Sequence, residues 1–465
     1  MVNDRGMVKN IEEVIALMKK YPQGALFLVL RNFNKLGDIT TVGVQDIPEG
    51  VSEYKHERRR AYANCVSVTE GFFPEEIVAM LKRIENEDGH VSISRFLNLG
   101  QKIANITGRK LIIIHQYGSG DQSQAEFDEY YFLPMKKIII VGAGHVLVYH
   151  LAAIRELFPE TEVVVTDIDA GKANSPEISK FGVQFVPHSG WHAEMEKSDL
   201  VVVCVPCAEH FAIAKEALEA GKVVLLEKPP TKTVAQLEEL QAISRRVPGA
   251  QLICAFHAAY DLTIEHFATQ MENGVHSKYG ELVGVRAEFS DPYVQDGLVT
   301  KSMGGSWEDS ASNALSVVGR FLDLVNLSLN SALITNDVPA APGYACIDSE
   351  ARVSYMFPDG KIEIRTDWVT GRNRKVTYLF FELNTTVMLH HSEQTIYVGV
   401  SDPDEHDGWD EVVSCDNGRA RLDNHYIGVY RDLMKMVANN TDNTDLGLQI
   451  TKLWIAAYEK AGIEI

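Results

Sequence analysis

Glu227-Lys228-Pro229-Pro230 closes a short apolar run, residues 222–226, and places an ammonium where that run ends. Such a run reads as a strand of a parallel sheet, and open parallel sheets gather their ligands beyond the carboxyl ends of their strands. Earlier in the chain, Gly142-Ala143-Gly144 follows the apolar run 137–141 and precedes an amphipathic stretch reaching about Leu157. Glycines between a strand and a helix let backbone approach a dinucleotide pyrophosphate. The third glycine of that pattern is replaced by Leu147, where a small side chain is expected for helix–sheet packing. Asp167 ends the next apolar run and suits the ribose hydroxyls of adenosine. A carboxylate there also repels a 2′-phosphate, which favours NAD, while Lys172 nearby leaves NADP open.

Asp309 and Asn313 stand four residues apart, on one face at the start of a helix. They suit substrate hydroxyls; a helix cap with a polar neighbour is the plainer alternative. His257 follows a strand, as a substrate contact or as a structural histidine. His210 starts a helix, near the nicotinamide or as a cap. Cys204 and Cys207 form a C-x-x-C, but Cys204 lies in the apolar run 200–205 and reads as a small core residue. No carboxylate pattern joins His188 and His192, or His390 and His391, so no metal is expected. The acidic run 402–410 reads as a solvated loop.

These residues need elements to hold them. Residues 135–250 alternate strand and helix, with strands at 137–141, 162–166, 185–187, 200–205 and 222–226, then 251–256. That rhythm implies right-handed crossovers and a parallel sheet, an α/β Rossmann domain over 135–256. Gly221 stops the helix over 209–220, and Thr233 with Gln236 caps the next one. From about 280 the pattern changes to long alternating runs at 281–289, 351–357, 361–369, 376–383, 386–391 and 395–400, with a helix over 313–327. Residues 425–437 and 447–461 are helical. This predicts an α+β substrate domain, 257–465, built on a large open, mainly antiparallel sheet. Its C-terminal helices are expected to pack back on the Rossmann domain. Residues 1–134 form an added α/β or α+β domain, with helices at 11–21, 74–85 and 93–106, strands at 25–31 and 110–115, and a linker over 118–129. Its basic cluster, residues 55–60, reads as a solvated helix face.

A chain of 465 residues with 45% hydrophobic and 23% charged residues is an ordinary globular composition for several domains. A net charge of -20 argues against nucleic acid or an anionic membrane as main partner. No apolar run reaches the roughly 20 residues that span a bilayer. The N-terminus lacks the order of a signal peptide, so a cytoplasmic location is expected.

Residues 135–465 resemble the Gfo/Idh/MocA oxidoreductases. The resemblance rests on Gly142-Ala143-Gly144 with His150, on Asp199-Leu200 through Val205-Pro206 with His210, and on Ala220-Gly221-Lys222-Val223 leading into Glu227-Lys228-Pro229. It implies an NAD(P)-dependent enzyme whose cofactor contacts come from Gly142, Gly144, His145, Val146, Asp167, Ile168, Val205, Pro206, His210, Glu227 and Lys228. Lys228 would reach both substrate and the nicotinamide end. Because 135–465 holds every matching motif, it is expected to fold and bind cofactor alone. Phe256-His257 and Asp309 through Ser316 are similar to bacterial aldose 1-dehydrogenases, which also carry asparagine where Asn313 stands. Two features depart from that group: Glu288-Phe289-Ser290-Asp291-Pro292 replaces a tryptophan- and acid-rich segment, and Ser312 replaces a glycine.

The expected reaction is oxidation of an aldose at C1 to a lactone. Lys228 is the leading proton-transfer group, its pKa lowered by an adjacent oxidised nicotinamide; Asp309 shares or tunes that role, and Asn313 and His257 bind hydroxyls. Another polyol, inositol, sugar acid or cyclic imine stays open as substrate. So does a nicotinamide-bound sensor acting through residues 1–134. A homo-oligomer through the C-terminal sheet is expected.

Overall fold

The computed structural model describes residues 25–31, 39–45, 100–102, 104–105, 111–117 and 126–463, except 273, 297–303, 337–347 and 401–408. The helices expected at 11–21 and 74–85, most of that at 93–106, the basic cluster 55–60 and the acidic residues 402–408 lie outside them.

Three sheets organise the rest. In the first, β1 (Ala25–Arg31), β2 (Ile39–Gln45), β3 (Leu111–Tyr117) and β4 (Glu126–Phe132) lie in the order β2-β1-β3-β4. The end of the expected linker is thus a strand: β4 runs antiparallel to β3, with Phe132 opposite Leu111. The acidic residues of Glu126-Phe127-Asp128-Glu129 hide its strand character, because charge is compatible with an edge strand.

The second sheet holds β5 (Lys137–Val141), β6 (Glu162–Asp167), β7 (Gln184–Pro187), β8 (Leu200–Val203), β9 (Val223–Glu227) and β10 (Gln251–Ala255). Its order is β10-β9-β8-β5-β6-β7 and its pairings are parallel. Helices such as α1 (Leu147–Leu157), α2 (Cys207–Glu219) and α3 (Val234–Arg246) cover it. Both faces are buried, so the strands are continuous apolar runs rather than alternating ones; Ile138 to Ile140 and Val201 to Val203 expose nothing. Strand order reverses between β5 and β8, which opens a crevice at their carboxyl ends. This is the Rossmann arrangement.

The third sheet runs β12-β13-β14-β11-β15-β16-β17-β18. Its strands are β11 (Leu282–Ser290), β12 (Ser328–Thr335), β13 (Glu350–Phe357), β14 (Gly360–Asp367), β15 (Arg374–Phe381), β16 (Thr385–His390), β17 (Thr395–Gly399) and β18 (Trp409–Ser414). β11 is parallel to β14, and the other pairings are antiparallel. The helix expected at 313–327 is α4, Ser306–Val318, whose Trp307, Ala311 and Leu315 pack on Val285, Val353 and Ile362 of this sheet. Gly319 follows it, and β12 takes residues that periodicity did not mark as a strand.

Helix α5 (Arg421–Asn439) returns to the Rossmann sheet: Tyr426, Tyr430 and Leu433 share a core with Leu151 and Ile154 of α1. Helix α6 (Thr444–Ala461) is tied to the end of β10, where Asn443 exchanges two hydrogen bonds with the Cys254 backbone, at 2.8 and 2.9 Å. Tyr131, Phe132 and Leu133 are buried in the same core as α1 and α5, so a boundary at 134 passes through shared packing. Among the described residues no helix is long and apolar enough to cross a membrane.

Candidate active site

The crevice between β5 and β8 is shaped for a dinucleotide. Gly142 has φ +106°, and a Cβ there would fall 2.6 Å from the Cys204 carbonyl oxygen, so only glycine fits. Gly144 is different: a Cβ would meet nothing within 4 Å, and the space above this turn is open. The Ala143 N–H donates to Asp167 Oδ2 at 2.7 Å and the Asp169 N–H to Oδ1 at 2.8 Å. Both oxygens keep a lone pair for a further donor. Ile168, 85% exposed, offers an apolar surface beside that carboxylate. No side chain caps α1, but its Leu147 and Tyr149 N–H groups already bond the Gly144 and Val146 oxygens, at 3.3 and 3.1 Å; His145 is exposed and Val146 half-buried there. Leu147 is buried, turned into the core with Leu151, so the third small residue is dispensed with by facing the side chain inward. These features fit a bound dinucleotide.

Behind the Glu-Lys-Pro turn lies a buried polar brace. Glu227 Oε1 accepts from the Tyr426 hydroxyl at 2.8 Å and lies 3.2 Å from His150 Nε2, while Oε2 accepts the Lys228 N–H at 3.0 Å. Burial alone would raise its pKa, but His150, His257 and Tyr426 hold it down at about 2. His210 is likewise buried, with Nε2 2.8 Å from the Val205 oxygen and Nδ1 2.9 Å from the Pro229 oxygen. Glu227 and His210, expected among the cofactor contacts, therefore stand behind the turn and fix it. Val205 and Pro206, half-buried and exposed at the end of β8, line its open side. The Cys204 thiol donates to the Gly142 oxygen at 3.1 Å, and burial pushes its pKa up.

In front of the turn, Lys228 Nζ donates to Asp309 Oδ1 at 2.6 Å and to the Asp309 carbonyl at 2.9 Å. Burial works to lower this lysine's pKa, but Asp309, Glu227 and Asp291 outweigh it and the net shift is upward. Lys228 is an ammonium here. Helix α4 presents Asp309 because its start is anchored from outside: buried Asp348 accepts the Ser306 hydroxyl at 2.7 Å and the Trp307 N–H at 2.8 Å. Lys232, just past the turn, bonds Glu308 on the same helix. Asn313 sits one turn beyond Asp309, and its buried Oδ1 has no hydrogen-bond partner. Thus two separated stretches of sequence bring Lys228, Asp309 and Asn313 together.

His257 follows β10, whose Ala255 pairs with Glu227, so it emerges beside the lysine turn. Its ring stacks on Tyr426, centroids 5.3 Å apart, and its Nδ1 lies 3.2 Å from His425 Nδ1. Burial, then His425, pushes it well below the ordinary histidine range, with Lys228 and Arg421 acting the same way. Asp291 and Lys375, both buried, form an ion pair beside this cluster. Sequence reasoning did not single out Tyr426 or His425, nor the Asp291–Lys375 pair. The only sequence sign was that Asp291 lies in the segment departing from the aldose group; the others reach the site through tertiary packing alone.

Residues 136–252 match the oxidoreductase family with NAD-binding Rossmann fold, GFO_IDH_MocA. That stretch is an NAD-binding Rossmann domain. Among curated proteins, the chain is 41% identical over 90 residues to the uncharacterized oxidoreductase YhhX of Escherichia coli, covering 19% of this chain and 25% of YhhX. It is 38% identical over 79 residues to the D-glucoside 3-dehydrogenase of Escherichia coli, covering 17% of this chain and 22% of that protein. The chain therefore aligns with about a quarter of the length of these relatives. Levoglucosan dehydrogenase, solved with NADH and levoglucosan, superposes with TM-score 0.58 at 16% identity over 70% of this chain and 97% of that one. The two-domain fold is shared; the resemblance to aldose 1-dehydrogenases in particular is not borne by these matches.

Proposed function

We propose that this protein is an NAD-dependent oxidoreductase that oxidises a carbinol carbon of a sugar-like substrate. The observation that carries the reading is the Lys228–Asp309 pair, 2.6 Å long, just past the carboxyl end of β9, with the buried, unpartnered Asn313 Oδ1 one helical turn from Asp309. Asp167 and the Gly142 turn would hold the adenosine half, and NAD, when bound, supplies the hydride acceptor. Lys228 hydrogen-bonds the substrate oxygen, passes a proton to Asp309 across their short contact, and takes the hydroxyl proton as the carbonyl forms. Asn313 receives a further substrate hydroxyl. Relatives named for a glucoside and for levoglucosan support a sugar-like substrate.

The specific reaction we favour is an aldose oxidised at C1 to a lactone, on the placement of Asn313 beside Asp309 in the aldose-like pattern. The similarity to a D-glucoside 3-dehydrogenase supports a second reading, oxidation of a ring hydroxyl to a ketone. Reduced-nicotinamide absorbance with a panel of aldoses, glucosides, inositols and sugar acids tests both. A product that hydrolyses to an aldonate supports C1 oxidation, and a stable keto sugar supports the second. Tight NAD binding with no turnover of any of them would refute the enzymatic reading and favour a sensor.

A further inference from the structure

Behind His257 runs a chain of buried groups that the lysine pair does not use. His425 Nε2 lies 2.9 Å from Asp261 Oδ2, both side chains 1% exposed. Asp261 Oδ1 accepts the Thr263 N–H at 3.0 Å and the Thr263 hydroxyl at 2.6 Å, and lies 3.3 Å from His391 Nδ1. Burial alone would raise the pKa of Asp261, but His391 and His425 hold it well below the usual carboxylate range. Burial pushes His425 down to about 4 against the pull of Asp261. At neutral pH the pair is therefore a carboxylate and a neutral imidazole.

A carboxylate only accepts, so His425 carries its proton on Nε2 and donates it to Asp261. Its Nδ1 is then a lone pair, and it faces His257 Nδ1 at 3.2 Å. That contact is a hydrogen bond only if His257 donates from Nδ1. His257 is left with a lone pair on Nε2, which has no hydrogen-bond partner among the described residues. The rings cannot all reverse, because the opposite tautomers would set a lone pair of His425 against the Asp261 carboxylate.

We propose that His257 is a specificity residue that accepts, and cannot donate, a hydrogen bond at Nε2. It thereby reads a substrate hydroxyl on a carbon beside the one oxidised, with His425 and Asp261 as positioning residues that fix its tautomer. This rests on the proposed oxidoreductase reading for its substrate, but not for its tautomer. Strands β9 and β10 are neighbours, about 4.8 Å apart as sheet strands are. Groups held by Lys228 and His257 therefore belong to adjoining parts of one small polyol. Glu227, Lys228, Arg421 and His425 surround the imidazole, and its charged form is disfavoured by burial and by three of these four. It accepts the hydrogen bond without taking the proton, which leaves the proton step to the lysine pair. The preferred substrate class is a vicinal diol or lactol rather than an isolated alcohol.

Histidine ¹⁵N shifts of the full chain at pH 7 read the tautomers whatever the substrate proves to be. The expected result is a pyridine-type Nε2 with pyrrole-type Nδ1 on His257, and the reverse on His425. In His425→Phe, which keeps a ring, the His257 signals should lose that single tautomer. A pyrrole-type Nε2 on wild-type His257 would overturn the proposal. The kinetic arm compares a substrate with its analogue deoxygenated beside the reacting carbon. Wild type should favour the hydroxylated one by about 5- to 100-fold in kcat/KM, the effect of leaving a desolvated acceptor unpaired. His257→Phe should bring that ratio near one with NAD affinity retained, and His425→Phe should lower it, mainly through KM. An unchanged ratio in His257→Phe would sink the hydroxyl-reading role while leaving the oxidoreductase reading standing. Failure of every polyol in wild type would refute the latter alone, since the ¹⁵N result still decides the tautomer.

Discussion

Replacing Lys228 by methionine separates chemistry from binding. The lysine side chain is 10% exposed and Asp309 23%, so their contact is sheltered from solvent. Methionine keeps the stem and its packing but leaves the Asp309 carboxylate without its charged partner. Loss of a partner for a partly buried carboxylate costs about 1–3 kcal/mol, partly offset by the apolar replacement, so the variant should melt slightly lower but fold. Turnover should fall by about 10²–10⁴-fold, the range for loss of a general acid–base group. NAD affinity, read by quenching of protein fluorescence, should change less than about threefold, because the dinucleotide turn and Asp167 are untouched. The raised pKa of Lys228 predicts an oxidation rate that climbs as pH rises toward the alkaline range, and this limb should vanish in the variant. Near-normal turnover in Lys228→Met, together with an inactive Asp309→Asn, would show that Asp309, and not the lysine, takes the proton.

Asn313→Ala removes a neutral hydrogen bond and should raise KM about 2- to 12-fold with little change in kcat, checked by steady-state kinetics. NAD should be preferred over NADP by at least about tenfold in kcat/KM, since a carboxylate facing a phosphate is penalised by like-charge repulsion; a preference for NADP would give control to Lys172. Acid should destabilise the fold early. His425, depressed from 6.5 to about 4, stays neutral when folded while the unfolded chain takes up a proton, so stability is lost as pH falls from 6.5 to about 4, by about 3 kcal/mol. Glu227, at about 2 against 4.5 unfolded, adds a second loss as pH falls from 4.5 to about 2. A melting temperature that is flat from pH 7 to 5 would contradict the first. A fragment beginning at 135 omits Tyr131, Phe132 and Leu133, buried at 6, 2 and 4% exposure, each contributing about 1.5–3 kcal/mol. It should melt well below a fragment beginning at 100, or fail to fold.

What was legible in the sequence follows from where each signal originates. β5, β8 and β9 are buried on both faces, so uninterrupted runs such as Ile138-Ile139-Ile140 declare them. β12 and β18 are edge strands without a fully buried residue: β12 turns Leu329, Ala332 and Ile334 to the core, but an irregularity between Leu329 and Ser331 breaks its alternation, and β18 is largely exposed. Asp309 and Asn313 were visible because helical spacing puts two polar groups on one face of a short local segment. The brace and the buried chain behind His257 were not, because Glu227 meets Tyr426 and His425 meets Asp261 across much of the chain, through α5. In the sequence His425 and Tyr426 are only two polar-tipped residues on an amphipathic helix. The fold gives them opposite tasks one residue apart: Tyr426 donates to the carboxylate under the lysine turn, and His425 sets the tautomer of the histidine beside it. A helix from the second half of the chain thus governs the geometry of two site residues, Lys228 and His257, that follow neighbouring strands of the Rossmann sheet. Substitution of His425 should therefore alter substrate kinetics while leaving the dinucleotide turn, and NAD affinity with it, unchanged, whereas changes at Tyr430 or Leu433, which pack on α1, should weaken NAD binding as well.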